Sequence, residues 1–506
     1  MKMKKTVLSL IAACSLSLVS CDMDLKPYDG IDENQALSSV TDFKNMRVGM
    51  YASLRGRVSG GNVTLSEFQA DNFNAVVGFS NTYGDMYRWQ FTSNTGSFDA
   101  VYAGYQGMIG KANFILTNKG QLDINTLESE DSAMVEKIIG EAHFFRAFSI
   151  FQLSQYFCAP YDAATASQAH TGVSYSLVYS PSSDASTYPG RYTMEQTFAQ
   201  IASDIEAAKS RIKENGAVAS AYITKDVITA LEARVALAKK DYATAVEKAK
   251  SLISSGTYAL CADRDELKDM WYNDGGAEAI LQIPVPSKDE LPGQNGVRFL
   301  PYQDGSVPDY LPTQEFVNLF EAGDARAAVY FKLLSLNTTS GASGQAYAFN
   351  KFPDESGLWE AMGKTEEARF TSEPKPLRLA EMYLIAAEAC AMSGNVTEGA
   401  KYLNALKSKR IVGYTEVAFS SANDLMSELK AERRRELAGE GFRLLDLKRW
   451  NEGVVRGTPQ NLDFCLFPGS ANTTNLVRAA GDSHMTWPIP QSEMNANPQM
   501  KQNPGY

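Results

Sequence analysis

The sequence predicts a mainly α-helical protein in which a helix-pair scaffold carries long, loop-rich irregular insertions. Apolar residues recur at helical spacing along much of the chain, and two distant stretches repeat one helix–turn–helix pattern. Four segments rich in Gly, Pro, Ser and Asn interrupt the helices, at residues 159–192, 284–312, 337–376 and 451–487. Structureless stretches longer than about 12–15 residues are uncommon in compact domains unless they carry function. The helices are therefore expected to hold the shape and the loops to hold the site.

Each helix has its own signal. Phe43, Met46, Met50 and Leu54 line one face over residues 42–54, and Ile138, Ile139, Ala142, Phe145, Ser149 and Leu153 do so over 136–157. Thr193 with Gln196 three residues later is a capping-box pattern that opens a helix over 193–213. Residues 224–254 read as a helix, a tight Lys240-Asp241 turn and a second helix; 377–407 read the same way around Ser393-Gly394-Asn395. In register, Ala233, Ala236, Lys240 and Asp241 align with Ala387, Cys390, Gly394 and Asn395. Small residues on each first helix let the second approach closely. The pair resembles tetratricopeptide hairpins, which stack into a solenoid. A generic alanine-rich hairpin accounts for two degenerate copies equally well.

The N-terminus reads as a targeting segment. Lys2, Lys4 and Lys5 precede an apolar run of about 13 residues, shorter than the roughly 20 a membrane-spanning helix needs. Leu18-Val19-Ser20-Cys21 closes it, and a cysteine at that place resembles the lipobox of bacterial lipoproteins. Residues 1–20 are then a signal peptide and Cys21 carries the acyl chains, palmitate among them. Two or more such chains anchor a protein stably, each buried methylene contributing about 0.8 kcal/mol.

The formal net charge is −11, and it becomes more negative once the three leading lysines leave. That balance argues against nucleic acid and against a polybasic membrane surface, leaving the lipid as the only membrane contact. Cys158, Cys261, Cys390 and Cys465 are scattered without ligand spacing, which argues against zinc and favours buried thiols. His143, His170 and His484 are the only histidines, so histidine-based catalysis has few candidates.

Several blocks, in order, resemble the SusD/RagB family of outer-membrane lipoproteins from Bacteroidetes. They are Asp42-Phe43 through Leu54, Val101-Tyr102 through Asn113, Gly140-Glu141-Ala142-His143-Phe144-Phe145-Arg146, Glu432 through Arg443 with Asp446-Leu447-Lys448-Arg449-Trp450, and the terminal Pro488-Ile489-Pro490 through Tyr506. The resemblance implies a SusD-like domain over 21–506. Its N-terminal portion, 21–260, holds tetratricopeptide-like helices, and its C-terminal portion, 261–506, holds the loop-rich lobe and a further helix pair. It also implies a lid on a SusC-type TonB-dependent transporter that captures glycans at the cell exterior. Asp22 and Asp24 resemble the acidic signal that sends such lipoproteins outward. Tyr156-Phe157-Cys158-Ala159-Pro160 departs from the family's glycine turn at that place. The Glu432–Glu436 charges read as i,i+3 and i,i+4 helix pairs that maintain the fold, as do Glu141 and Arg146.

A glycan site needs flat aromatic rings for C–H faces and polar side chains for hydroxyls. Tyr83, Tyr87 and Trp89, interleaved with Arg88, fit best, although Tyr87 and Trp89 suit plugs on the scaffold's flank equally well, and Asp71 and Asn72 are possible hydroxyl partners. In the lobe, Trp271, Tyr302 and an exposed Trp359 are further candidates. Arg326 and Arg378 suit an acidic sugar or a helix surface equally. Neither a carboxylate pair nor a Gly-x-Ser-x-Gly elbow stands out, so a non-catalytic glycan binder leads and a glycoside hydrolase trails it. A RagB-like peptide receptor and a pure interaction scaffold are the other readings. No cofactor or catalytic residue is expected, and no metal beyond a structural calcium at carboxylates such as Asp304 and Asp309.

Overall fold

The computed structural model describes residues 36–77, 81–294, 308–337, 341–465 and 476–506. Cys21, Asp22, Asp24, Tyr302 and Asp304 lie outside the described residues, and so do the signal and lipidation expectations.

The first half of the chain forms helices α1 (Val40–Arg57), α2 (Gly61–Gln69), α3 (Gly84–Arg88), α4 (Gly96–Asn118), α5 (Ser129–Phe157), α6 (Met194–Arg211), α7 (Lys225–Ala238) and α8 (Tyr242–Ile253). Short helices α9 (Arg264–Tyr272), α10 (Gln314–Asn318), α11 (Ala325–Tyr330) and α12 (Gly357–Ala361) follow in the lobe. Then come α13 (Leu379–Met392), α14 (Val396–Ser408), α15 (Ala422–Glu436), α16 (Arg443–Arg449) and α17 (Gln491–Ala496). Packing runs from neighbour to neighbour: α1 on α4, α4 on α5, α5 on α6, α6 on α7, α7 on α8, α8 on α13 and α13 on α14. The α13/α14 hairpin thus extends the N-terminal row of helices, although the loop-rich lobe separates them in sequence.

Local chemistry explains the boundaries. Ser39 and Asp42 cap α1 reciprocally, which starts it earlier than apolar spacing alone indicates. Thr193 and Gln196 form both bonds of the expected capping box. The two hairpins turn identically. Asp241 N–H donates to the Ala236 carbonyl at 2.9 Å and Asn395 N–H to the Cys390 carbonyl at 2.8 Å. Lys240 and Gly394 hold the matching left-handed position at φ 64° and 79°. A glycine adopts that conformation freely, whereas a lysine there is strained.

Strands β1 (Phe73–Ala75), β2 (Ala279–Leu281), β3 (Tyr310–Pro312), β4 (Phe331–Asn337), β5 (Ser343–Phe349), β6 (Leu377–Arg378), β7 (Val454–Val455) and β8 (Val477–Arg478) are short. Among the described residues they pair antiparallel as β1–β3, β2–β6, β4–β5 and β7–β8. β5 and α12 correct the expectation that 337–376 lacks regular structure. A second apolar cluster, with Phe68, Phe73, Tyr87, Trp271, Tyr310 and Phe316, fills the lobe beside the helical core.

Glu436 is the hub between scaffold and lobe. Its carboxylate accepts from Arg378 Nη1 at 2.6 Å, Arg326 Nη1 at 2.9 Å and Arg410 Nε at 3.0 Å, and the side chains involved are essentially unexposed. Burial alone would raise its pKa, but the three guanidiniums outweigh it and hold the carboxyl well below the ordinary value. The charges of this helix therefore pair mainly across the fold; Arg435–Glu432 is the i,i+3 pair. Arg326 and Arg378, fully engaged here, sit neither on a helix surface nor where a sugar could reach them. Glu141 and Arg146 do not pair with each other either: Glu141 takes Arg47 and Tyr51, and Arg146 takes Asp204. Cys158, Cys261, Cys390 and Cys465 are buried free thiols.

Candidate functional site

The aromatic segment after α2 is seated on the lobe through its backbone. β1 pairs with β3 in the register Phe73↔Pro312, Asn74↔Leu311 and Ala75↔Tyr310. Arg456, just after β7, reaches underneath and donates to the carbonyls of Phe68, Phe73 and Tyr87 at 3.0, 2.8 and 3.1 Å. Arg478 of β8 donates to the Trp89 carbonyl at 3.1 Å. These bonds satisfy carbonyls that a short, irregular segment cannot pair within itself.

The seating decides which rings reach solvent. Tyr87 is fully enclosed, edge-on to Tyr310 and with the Arg456 guanidinium 4.0 Å from its ring centre. Trp89 is 3% exposed, tilted against Phe91 and covered by Arg478. Both hold the segment down instead of facing outward. Tyr83 is half-buried, its ring stacked on Phe68 at 5.7 Å.

The same turn carries a linked set of polar side chains. Arg88 Nη2 donates to Asn81 Oδ1 at 2.7 Å, Arg88 Nε donates to Gln90 Oε1 at 3.2 Å, and Asp85 lies 3.6 Å from Arg88. Asn81, Asp85 and Gln90 are exposed. Gly84 lies so close to Asn81 and Arg88 that a Cβ there would collide with both side chains. Asn81, Tyr83 and Trp89 all adopt positive φ, at 58°, 50° and 57°. Each costs about 1–3 kcal/mol, and such strain concentrates at functional sites. The turn thus presents one aromatic face with amide, carboxylate and guanidinium groups fixed beside it, the groups that recognise a polyhydroxylated ring.

The remaining candidates lie elsewhere. Asp71 accepts from Arg443 Nε and Nη2, both at 2.8 Å; burial opposes its ionisation, but Arg434 and Arg443 overcome that and hold the carboxyl well below the ordinary range. Asn72 is buried and accepts from Arg434 at 2.7 Å. Trp271 is 2% exposed beneath Lys351, and Trp359, expected in solvent, is 7% exposed between Lys364 and Arg369. Asp309 accepts a hydrogen bond from the Thr82 hydroxyl. Among the described residues no group of His, Cys, Asp and Glu is arranged to hold a metal ion, and no helix is long and apolar enough to cross a membrane.

One exposed ring was not foreseen. Tyr347 stands 40% exposed on β5, opposite the exposed Leu333 of β4. Its backbone N–H and carbonyl are both bonded by the Gln460 side chain, which also donates to the Pro312 carbonyl. The alternation Gln345-Ala346-Tyr347-Ala348 was the signal available for it.

A family model described as "SusD family" matches residues 335–506, and one described as "Starch-binding associating with outer membrane" matches 23–237. SusD-like protein P38 of Formosa agariphila is 22% identical over the full length of both chains. A SusD superfamily protein of Bacteroides thetaiotaomicron VPI-5482 superposes with a TM-score of 0.75 at 24% identity, covering 92% of this chain and 100% of that one. A SusD-like carbohydrate binding protein of Bacteroides vulgatus ATCC 8482 gives 0.71 at 18% identity, covering 92% and 97%. At these identities the two solved structures establish the fold alone.

Proposed function

We propose, for a chain that belongs to the SusD family, that it is a non-catalytic carbohydrate-binding lipoprotein of the outer membrane. It captures oligo- or polysaccharide at the cell exterior and delivers it to a SusC-type TonB-dependent transporter. The observation that carries the reading is the strained turn of residues 81–90, which holds the half-buried Tyr83 ring together with the linked polar side chains of Asn81, Asp85, Arg88 and Gln90. A pyranose lays its C–H face on such a ring while its hydroxyls exchange water for the polar groups. Each hydroxyl must be desolvated before it is paired, so a single subsite binds weakly and a polymer gains by engaging several. The row of α1, α4–α8, α13 and α14 serves as the rigid support.

The test is electrophoresis through gels containing single polysaccharides, with Tyr83→Ala and Arg88→Ala beside the parent protein. Retardation by one polymer that both folded variants lose supports the reading. Equal retardation of parent and variants removes this turn from the site, and absence of retardation by any polysaccharide counts against a glycan ligand.

A further inference from the structure

A second cavity lies away from the 81–90 turn, between α4, α5 and α7 of the scaffold and the lobe segments 372–376 and 439–442. It holds about 120 Å³ of free space, close to the roughly 150 Å³ of an apolar cavity that takes one benzene ring. Its walls combine aromatic faces (Tyr105, Tyr156, Trp271, Phe442) with the side-chain amides of Gln152 and Gln155.

The charges of the lining narrow the occupant. Arg234 is held by Glu381, Lys375 by Asp274, Arg433 by Asp446, Arg449 by Glu388, and Glu440 by Arg378 and Lys351. Arg57 donates to the Ala100 carbonyl. With its charges satisfied internally, the cavity does not call for an ion. Apolar and aromatic side chains with two side-chain amides suit a neutral, oxygen-rich ring.

We infer that this cleft is a second binding site, for a single neutral pyranose unit, separate from the surface turn. It holds one ring while the turn holds a polymer, and it does not depend on the reading of that turn.

The experiment is isothermal titration of the full chain with D-glucose, D-galactose and D-mannose, with tryptophan fluorescence followed in parallel because Trp271 lines the cleft. Ala238→Phe fills the space from α7, and Gln152→Ala removes an amide while leaving the ion pairs intact. The expected result is saturable binding of at least one sugar with a fluorescence change, weakened at least about tenfold (1.4 kcal/mol) in both variants, whose circular dichroism matches the parent. No saturable binding of any of the three, or equal binding by parent and both folded variants, would overturn the inference. Polysaccharide retardation is scored separately on Tyr83→Ala, so failure of one site is distinguishable from failure of the other.

Discussion

Arg456 places its guanidinium 4.0 Å from the centre of the Tyr87 ring and, on the same residue, donates to the Tyr87 carbonyl at 3.1 Å. With its bonds to Phe68 and Phe73 it ties the end of α2, β1 and α3 to the segment just after β7. Removing it would take the charged donor away from all three carbonyls. Arg456→Ala is expected to cost about 3 kcal/mol or more, since a hydrogen bond to a charged group contributes about 1.5–3 kcal/mol. Urea denaturation measures it. A loss under about 1 kcal/mol would mean that solvent replaces Arg456 at these carbonyls.

Trp89 and Tyr83 should separate structure from binding. Trp89→Ala opens a cavity in the core and is expected to destabilise by about 3–5 kcal/mol, with the folded fraction still binding polysaccharide. Tyr83→Ala removes a half-buried ring and should lower polymer affinity about tenfold at a smaller cost in stability. Thermal denaturation and affinity electrophoresis on the same samples check both. Selective loss of binding in Trp89→Ala would reverse the assignment.

Glu67 gives a pH signature. It is fully buried; burial pushes its carboxyl up from 4.5 to about 7, against the pull of the Gly441 N–H at 2.9 Å. A carboxyl whose pKa is higher folded than unfolded contributes stability that is whole below 4.5 and is lost as pH rises through about 7. The amount is on the order of 3 kcal/mol. Glu67→Gln should flatten this part of the profile and gain on the parent as pH rises from about 4.5 to about 7, holding a constant lead above that. Parallel stability curves for the two proteins between about pH 5 and pH 8 would contradict it.

Gly394 and Lys240 occupy the same turn in the two hairpins at φ 79° and 64°. Gly394→Ala should therefore destabilise by about 1 kcal/mol, a strained left-handed residue costing roughly 1–2 kcal/mol. Lys240→Gly should be neutral or slightly stabilising. Chemical denaturation of both variants decides it, and an unchanged midpoint for Gly394→Ala would show that the turn relaxes.

The scaffold was legible because its signals are local. Phe43 to Leu54 and Ile138 to Leu153 announce their faces within a few turns, and Thr193 with Gln196 announces a cap within one. The hairpin turns could be aligned from sequence because Lys240-Asp241 and Gly394-Asn395 do the same backbone work. What escaped depends on distant partners. Arg326 meets Glu432 and Arg378 meets Glu436 only after the lobe folds back, so their charges looked like surface charges. Trp89, Trp271 and Trp359 looked like platforms because the arginines and lysines that cover them come from other segments or a later turn. The short helix Gly84–Arg88 has too few residues to show periodicity, and the β5 strand of Tyr347 lay hidden in a Gly- and Ser-rich stretch.

The central claim is that this chain grips saccharide at the 81–90 turn. The most direct measurement is a crystal structure of the protein with a bound oligosaccharide from whichever polymer retards it. The account predicts a sugar ring over the Tyr83 face with its hydroxyls bonded to Asn81, Arg88 or Gln90. An ordered oligosaccharide bound elsewhere, with this turn touching only water, would contradict it.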